Sequence, residues 1–291
     1  MVNKRKLIKA IAISWGCTLM GLFNIAVILG FASLIVIRFR GPAVVMRMMI
    51  PTFVLIVAIS CLAEVIVNFI YGARAPDPKN DLDMRFHASL KRVARKAWML
   101  VTPRAWVLHG LGVKNAMTYG LPFPGLAAVG ITRELVAVLT DDELDAVVAH
   151  ECGHIKCRDT AIVLFVSLIL GALDKLYGVL SSGRALWTRS PITLVAGWAV
   201  YYMGKVAFAV SRFSISQERE FSADALAVWY LGDAKPVASL LRKLQNEHRV
   251  ASVLSGREDK PLFEDIMISH PGLAERIAQV EDFILENERG A

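Results

Sequence analysis

His150-Glu151-Cys152-Gly153-His154 lies inside an apolar, helix-patterned stretch, Leu144 to Ile155. Residues four apart on a helix share a face, so both imidazoles can point at one metal ion. Glu151 then sits beside that ion without ligating it, where it can take a proton from water. The bland alternative is a pair of surface histidines on an ordinary helix. Cys152 is two residues from each histidine and turns away from their face, so it reads as a small packing residue.

Upstream, Thr140-Asp141-Asp142-Glu143 has the form of a capping box, with Thr140 as N-cap and Glu143 at N3. Its acidic residues also suit the positive end of the helix dipole. A helix beginning there carries the two histidines in its third and fourth turns. Downstream, only a few residues separate His154 from a long apolar run. At about 1.5 Å per helical residue, a metal there would sit within roughly 10 Å of a membrane surface, if the helix continues past Asp159. Membrane-associated substrates would suit such a site.

The chain has 291 residues, 55% of them hydrophobic, and a mean hydropathy of +0.48. The excess is concentrated in four runs: Leu7 to Ile37, Met48 to Tyr71, Thr160 to Leu180 and Ile192 to Val210. Each is near or above the roughly 20 residues that span a bilayer. The first is too long for a signal-peptide core and reads as a retained anchor. Asp174, Lys175 and Lys205 interrupt the last two runs, which leaves open that they are core helices of a large soluble domain. Four spans are the expectation. Arg and Lys are dense at the N-terminus and after the second run, which puts both termini and the histidine motif on the cytoplasmic side.

A net charge of +7 raises nucleic acid as a partner. The positive charges cluster beside the apolar runs, however, where anionic lipid headgroups account for them. No interleaved aromatic pattern of the RNA-binding kind is present, so nucleic acid is excluded as a partner. The four cysteines form no disulfide framework and fit a reducing compartment.

Between the second and third runs, Ala75 to Asp81 reads as a linker rich in Pro and Asp. Leu82 to Met99 reads as a basic amphipathic helix with Leu82, Phe86, Leu90, Val93 and Ala97 on one stripe. That stripe suits either a protein core or a membrane surface. Ala105 to His109 and Leu126 to Thr132 look like short strands, separated by a turn-rich stretch, Gly110 to Gly125. Glu64, within the second run, is a candidate for function because intramembrane carboxylates are costly.

A catalytic zinc site needs a third protein ligand and an open position. After the fourth run comes Arg219-Glu220-Phe221-Ser222-Ala223-Asp224, in which Glu220 and Asp224 share a helical face. On residue pattern alone this is equally a solvated charged face.

Taken together, Leu139 to Leu144, the His150–His154 motif, Arg219 to Asp224, and Ser269-His270-Pro271 before Glu275-Arg276-Ile277 resemble the HtpX-type membrane zinc metalloproteases. The similarity extends, more distantly, to the CAAX prenyl proteases of the endoplasmic reticulum. The resemblance implies one Zn2+ per chain, held by His150, His154 and Glu220. Glu151 becomes the general base, and His270 matches a histidine that approaches the scissile carbonyl. Asp224 matches a carboxylate that steadies a ligating histidine, and Arg276 matches the arginine that follows His270. Asn115 and Ala116 match the segment beside the cleft, where an extended substrate pairs by its backbone.

The implied fold is a mostly α membrane protein with about four transmembrane helices and a gluzincin-like α+β metalloprotease domain containing a small β-sheet. Residues 1–73 form the first transmembrane hairpin and 160–211 the second. Residues 74–159 and 212–291 are the two parts of the protease domain. The expected function is a zinc endopeptidase of a bacterial inner membrane, acting on misfolded membrane proteins or unfolded polypeptides. Two alternatives stand beside it: a narrow-specificity processing protease, and a non-proteolytic membrane scaffold with structural zinc.

Overall fold

The computed structural model describes residues 61–109, 114–121, 123, 125–159, 218–254 and 272–289, with scattered positions between 8 and 58. The chain divides into two compact units. One comprises Met1–Trp15, Leu62–Thr160 and Ser216–Ala291, and holds every element named below. The other comprises Gly16–Cys61 and Ala161–Ile215. The third and fourth apolar runs, most of the first and much of the second lie outside the described residues, as does His270. No helix among the described residues is long and apolar enough to cross a membrane.

The end of the second apolar run forms helix α1, Ala63–Ile70. Glu64 is its buried residue. The carboxylate accepts a hydrogen bond from Trp106 Nε1 at 3.0 Å and pairs with Arg104 at 2.5 Å. Those partners offset the cost of burying the charge and tie α1 to the first strand.

Helix α2, Asp81–Lys96, begins at Asn80, whose side chain accepts from Leu82 and Asp83 backbone N–H groups. Its stripe of Phe86, Leu90 and Val93, with Ala97 just beyond, is fully buried in the core. Of the two readings of this amphipathic helix, packing on protein is therefore the correct one. Its polar flank is also committed: Ser89 and Arg92 both bond Asp145, at 2.6 and 2.8 Å.

Strands β1 (Arg104–Leu108), β2 (Ala116–Gly120) and β3 (Ala127–Thr132) form one sheet in the order β1-β3-β2. β1 runs parallel to β3, and β2 antiparallel to it. β2 is a correction, since its residues read as part of a turn-rich stretch. The turn is the one after it: Gly120 has φ +88°, and a Cβ there would lie 2.4 Å from the Leu126 carbonyl oxygen. Only glycine fits so close a reversal.

A short helix α3, Arg133–Val138, leads to α4, Asp141–Lys156. The capping box at Thr140 is present in both directions, as its sequence suggests. Helix α5 spans 218–231, followed by α6, Lys235–Leu254, and α7, Leu273–Arg289. One apolar core joins α2, β3, α4, α5, α6 and α7, with Val148, Ala149, Ala227, Val228, Leu241 and Val280 at its centre.

Two contacts hold α4 against the later helices. Gly153 faces Ala223 so closely that a Cβ on Gly153 would lie 3.0 Å from Ala223 Cα and 3.1 Å from its carbonyl oxygen. A larger side chain must push α4 and α5 apart, because the obstacle is backbone. Glu143 supplies the second contact: it accepts from Lys243 at 2.6 Å and Ser239 at 2.8 Å while closing the Thr140 cap. Burial alone would raise this carboxyl, but Lys243, Thr140 and Ser239 outweigh it and hold its pKa down to about 2.

Gly153→Val should destabilise the fold by about 1–3 kcal/mol through overpacking. It should also move Glu220, carried on α5, away from His150 and His154 of α4, and so lower the divalent metal that the purified protein retains by metal analysis. For Glu143 the folded pKa lies below the ordinary value of 4.5, so its contribution is full above that value and is lost as pH falls toward 2. Glu143→Gln should therefore lower the thermal-unfolding midpoint at neutral pH, and the gap from wild type should narrow below about pH 4.

Candidate metal centre

His150 and His154 project from one face of α4, their ring centroids 4.6 Å apart and their planes perpendicular. Their Nε2 atoms approach to 3.0 Å. Glu220, on α5, brings its carboxylate to 3.3 Å from His150 Nε2 and 3.5 Å from His154 Nε2. The three side chains form a group whose donor atoms lie within 4.8 Å of one another. The solvated reading of the Arg219–Asp224 segment fails, since Arg219, Glu220 and Asp224 are all buried.

Each histidine is held from behind by a carboxylate. Asp224 Oδ1 lies 2.8 Å from His150 Nδ1, and Asp159 Oδ2 lies 2.5 Å from His154 Nδ1. An ionised carboxylate only accepts, so each Nδ1 carries the proton and each Nε2 turns a lone pair inward. Arg276 on α7 donates to Asp224 from Nε at 2.6 Å and Nη2 at 2.8 Å, and its Nη1 lies 2.9 Å from Glu220 Oε2. Arg219 pairs with Asp159 and donates to the Cys157 carbonyl at 3.0 Å. Its guanidinium also lies over the Trp15 ring, 5.4 Å from the centroid.

Asp159 reaches back because α4 ends at Lys156 and Arg158 adopts φ +58°. That break removes the premise of the short axial reach expected from His154 toward the third apolar run, since α4 does not run unbroken past Lys156.

The residues fit a divalent cation on three observations. Two lone pairs and a carboxylate crowded at 3.0–3.5 Å repel unless a positive charge lies among them. Around a tetrahedral ion with ligands at about 2.0–2.1 Å, neighbouring donor atoms stand roughly 3.3 Å apart. Finally, four buried carboxylates (Glu151, Asp159, Glu220, Asp224) face two buried guanidinium groups, leaving two negative charges among the described residues. Without a metal, a proton takes that place. Burial pushes His150 down, but Asp224 and Glu220 outweigh it and hold its pKa up to about 10. Burial and the neighbouring His150 push His154 down. Cys152 is fully buried on the far side of α4, its thiol pushed up to about 12 by burial.

Glu151 is buried beside this group, and Thr118 on β2 donates to its Oε2 at 2.7 Å. The same hydroxyl lies 3.1 Å from the Glu151 carbonyl oxygen. Thr118, Asp159 and Arg219 are the site residues that sequence reasoning passed over. The i+4 rule finds partners within one helix, and these come from a strand, a helix end and a second helix. Asp159 had one available signal, an acidic residue just past the end of the histidine helix.

Asn115 and Ala116 lie at the start of β2. Asn115 is engaged inward, its N–H donating to Thr132 Oγ1 and its carbonyl accepting from Thr132 N–H, both at 2.9 Å. Alternation along an antiparallel ladder then turns the backbone groups of Ala116, Thr118 and Gly120 to the outer edge. Arg276 joins the centre directly, and His270 lies outside the described residues.

The sequence profile of peptidase family M48 matches residues 80–284. A protease HtpX homologue of Burkholderia mallei is 31% identical over 216 residues, covering 68% of this chain and 73% of that one. One from Aeropyrum pernix is 29% identical over 209 residues, and the matched part spans 64% of its length. The crystal structure of Ste24p from S. mikatae shares the fold at a TM-score of 0.57 and 22% identity, over 92% of this chain and 66% of that one. These matches bear out the likeness read from the motifs, and the chain belongs to peptidase family M48, whose members are metal-dependent peptidases.

Proposed function

We propose that this chain is a membrane-embedded zinc endopeptidase that hydrolyses misfolded membrane proteins or unfolded polypeptides on the cytoplasmic side of a bacterial inner membrane. The observation that carries the reading is the convergence of His150 Nε2, His154 Nε2 and the Glu220 carboxylate beside a buried Glu151. Those three residues would hold the ion. Zinc at such a site acidifies water and polarises a peptide carbonyl. His150 and His154 are kept in the ligating tautomer by Asp224 and Asp159, and Arg276 pairs with both Asp224 and Glu220 at the centre, helping to hold the Asp224 carboxyl below its ordinary range. Glu151 accepts the proton of the attacking water and passes it to the leaving amine nitrogen. Thr118 donates to Oε2 and so fixes the orientation of the carboxylate that carries it.

An extended substrate would add to the outer edge of β2, pairing with backbone groups of Ala116 and Thr118. Because Thr118 also holds Glu151, the strand that would receive the scissile segment is bonded to the base that acts on it. His270 is proposed to assist at the carbonyl oxygen, by resemblance. Embedding in the bilayer rests on the four apolar runs, and the cytoplasmic orientation on the distribution of Lys and Arg.

Glu151→Gln should retain stoichiometric zinc and lose about 10²–10⁴ in turnover of an unfolded protein substrate. Preserved turnover in that variant would overturn the assignment. Thr118→Val keeps shape but removes the hydroxyl, and should lower kcat by about tenfold with KM little changed. Thr118→Ser should restore most of the loss, whereas equal loss in both variants would assign Thr118 to packing alone.

A further inference from the structure

Two loops at one end of the sheet expose apolar side chains that the proposed site does not use. The first follows α2 and carries Trp98, Leu100 and Val101; the second is the β2–β3 turn, with Phe123 and Leu126. Trp98 is 71% exposed and Leu100 89%. The loops lie side by side, since a Cβ built at Gly125 would lie 3.8 Å from Val101 Cγ1.

Their location follows from the register. Arg104 pairs with Ala128 and Gly120 with Ala127, so the start of β1, the start of β3 and the end of β2 share one end of the sheet. α1 begins at that end too, because Glu64 bonds Arg104, while Tyr71 accepts from His109 at the other. The chain thus passes from the earlier part of the second apolar run into α1, through exposed Leu62, at the same end as both loops. Exposed Arg95 and Lys96, in the last turn of α2, flank them.

The first loop is built to present its indole. α2 closes with Trp98 N–H bonded to the Arg95 carbonyl at 3.1 Å and Met99 N–H to the Ala94 carbonyl at 3.0 Å. This closure puts Trp98 at φ +47°, a left-handed position that favours glycine. A bulky residue there is disfavoured locally, and its ring gains little burial within the protein in return. The second loop closes on backbone bonds from Leu121 N–H to the Leu126 carbonyl at 3.1 Å and from Leu126 N–H to the Phe123 carbonyl at 3.0 Å, which lowers the cost of taking these groups out of water.

We infer that Trp98, Leu100 and Val101 of the first loop and Phe123 and Leu126 of the second insert into the interfacial layer of an anionic lipid bilayer, with Arg95 and Lys96 against its headgroups. The inference rests on the membrane reading proposed above. Tryptophan with flanking cations suits that layer, where one end of a side chain is dry and the other wet. Insertion would set the end of edge strand β2 at the bilayer surface, so that a chain segment leaving the lipid meets the strand that would bind it.

The test uses the full chain, with Cys17→Ser and Cys61→Ser, in nanodiscs of phosphatidylcholine containing about one third phosphatidylglycerol. A nitroxide is placed at Leu100→Cys, at Phe123→Cys, and at exposed Asp233→Cys as the aqueous control. Power saturation compares collisions with oxygen and with a water-soluble nickel chelate. Both loop labels should favour oxygen severalfold over the control. Nickel access equal to the control at both positions, in chains incorporated into the discs, would overturn the inference alone. Protection of those labels only after adding an unfolded polypeptide would overturn it in favour of a polypeptide surface. Failure of the chain to enter the discs would overturn the membrane reading and the inference together.

Discussion

Asp224 is buried between three helices and bonded to a side chain from two of them. It sits on α5, orients His150 of α4, and takes a two-pronged grip from Arg276 of α7. Removing a carboxylate from water is costly, and only close, hydrogen-bonded opposite charge offsets that cost. Arg276 provides the opposite charge and extends it to Glu220. The result is that the packing of three helices and the direction of one imidazole are the same problem. Disturbing either the salt bridge or the helix crossing at Gly153 moves the donor atoms.

The second histidine repeats the design with different parts. Asp159 stands to His154 as Asp224 stands to His150, and Arg219 answers Asp159 as Arg276 answers Asp224. Each ring is therefore fixed by a carboxylate, and each carboxylate by a buried arginine. Such outer partners hold ring orientation and raise the basicity of the inward nitrogen. Among the described residues the arrangement also leaves two negative charges uncompensated, which matches the charge of one divalent ion. The sheet contributes from a third side, through the Thr118 hydroxyl on Glu151.

Legibility in the sequence followed the range of each interaction. The α4 cap, the buried stripe of α2 and the shared faces of His150 with His154 and Glu220 with Asp224 are all set within a few residues. Helical periodicity makes such relations readable without knowing the fold. β2 was harder, because its five residues include glycine and alanine and carry little alternation. Its identity as a strand comes from its neighbour β3, which lies buried along its whole length. Asn115 shows the same limit at finer grain: the motif marks the segment, and only pairing with Thr132 decides which backbone groups face outward.

What the sequence determined by itself is the chemistry available: two imidazoles and a carboxylate on one helix, two more carboxylates on another, and the apolar runs beside them. Their spacing is local, so it survives whatever the rest of the chain does. The tertiary structure alone decided which charges meet. Asp224 and Arg276 are separated by 52 residues, Thr118 and Glu151 by 33, and His150 and Asp224 by 74. No periodic rule reaches across such distances; helix packing around a shared core does, and the buried charges are arranged where that packing brings them together.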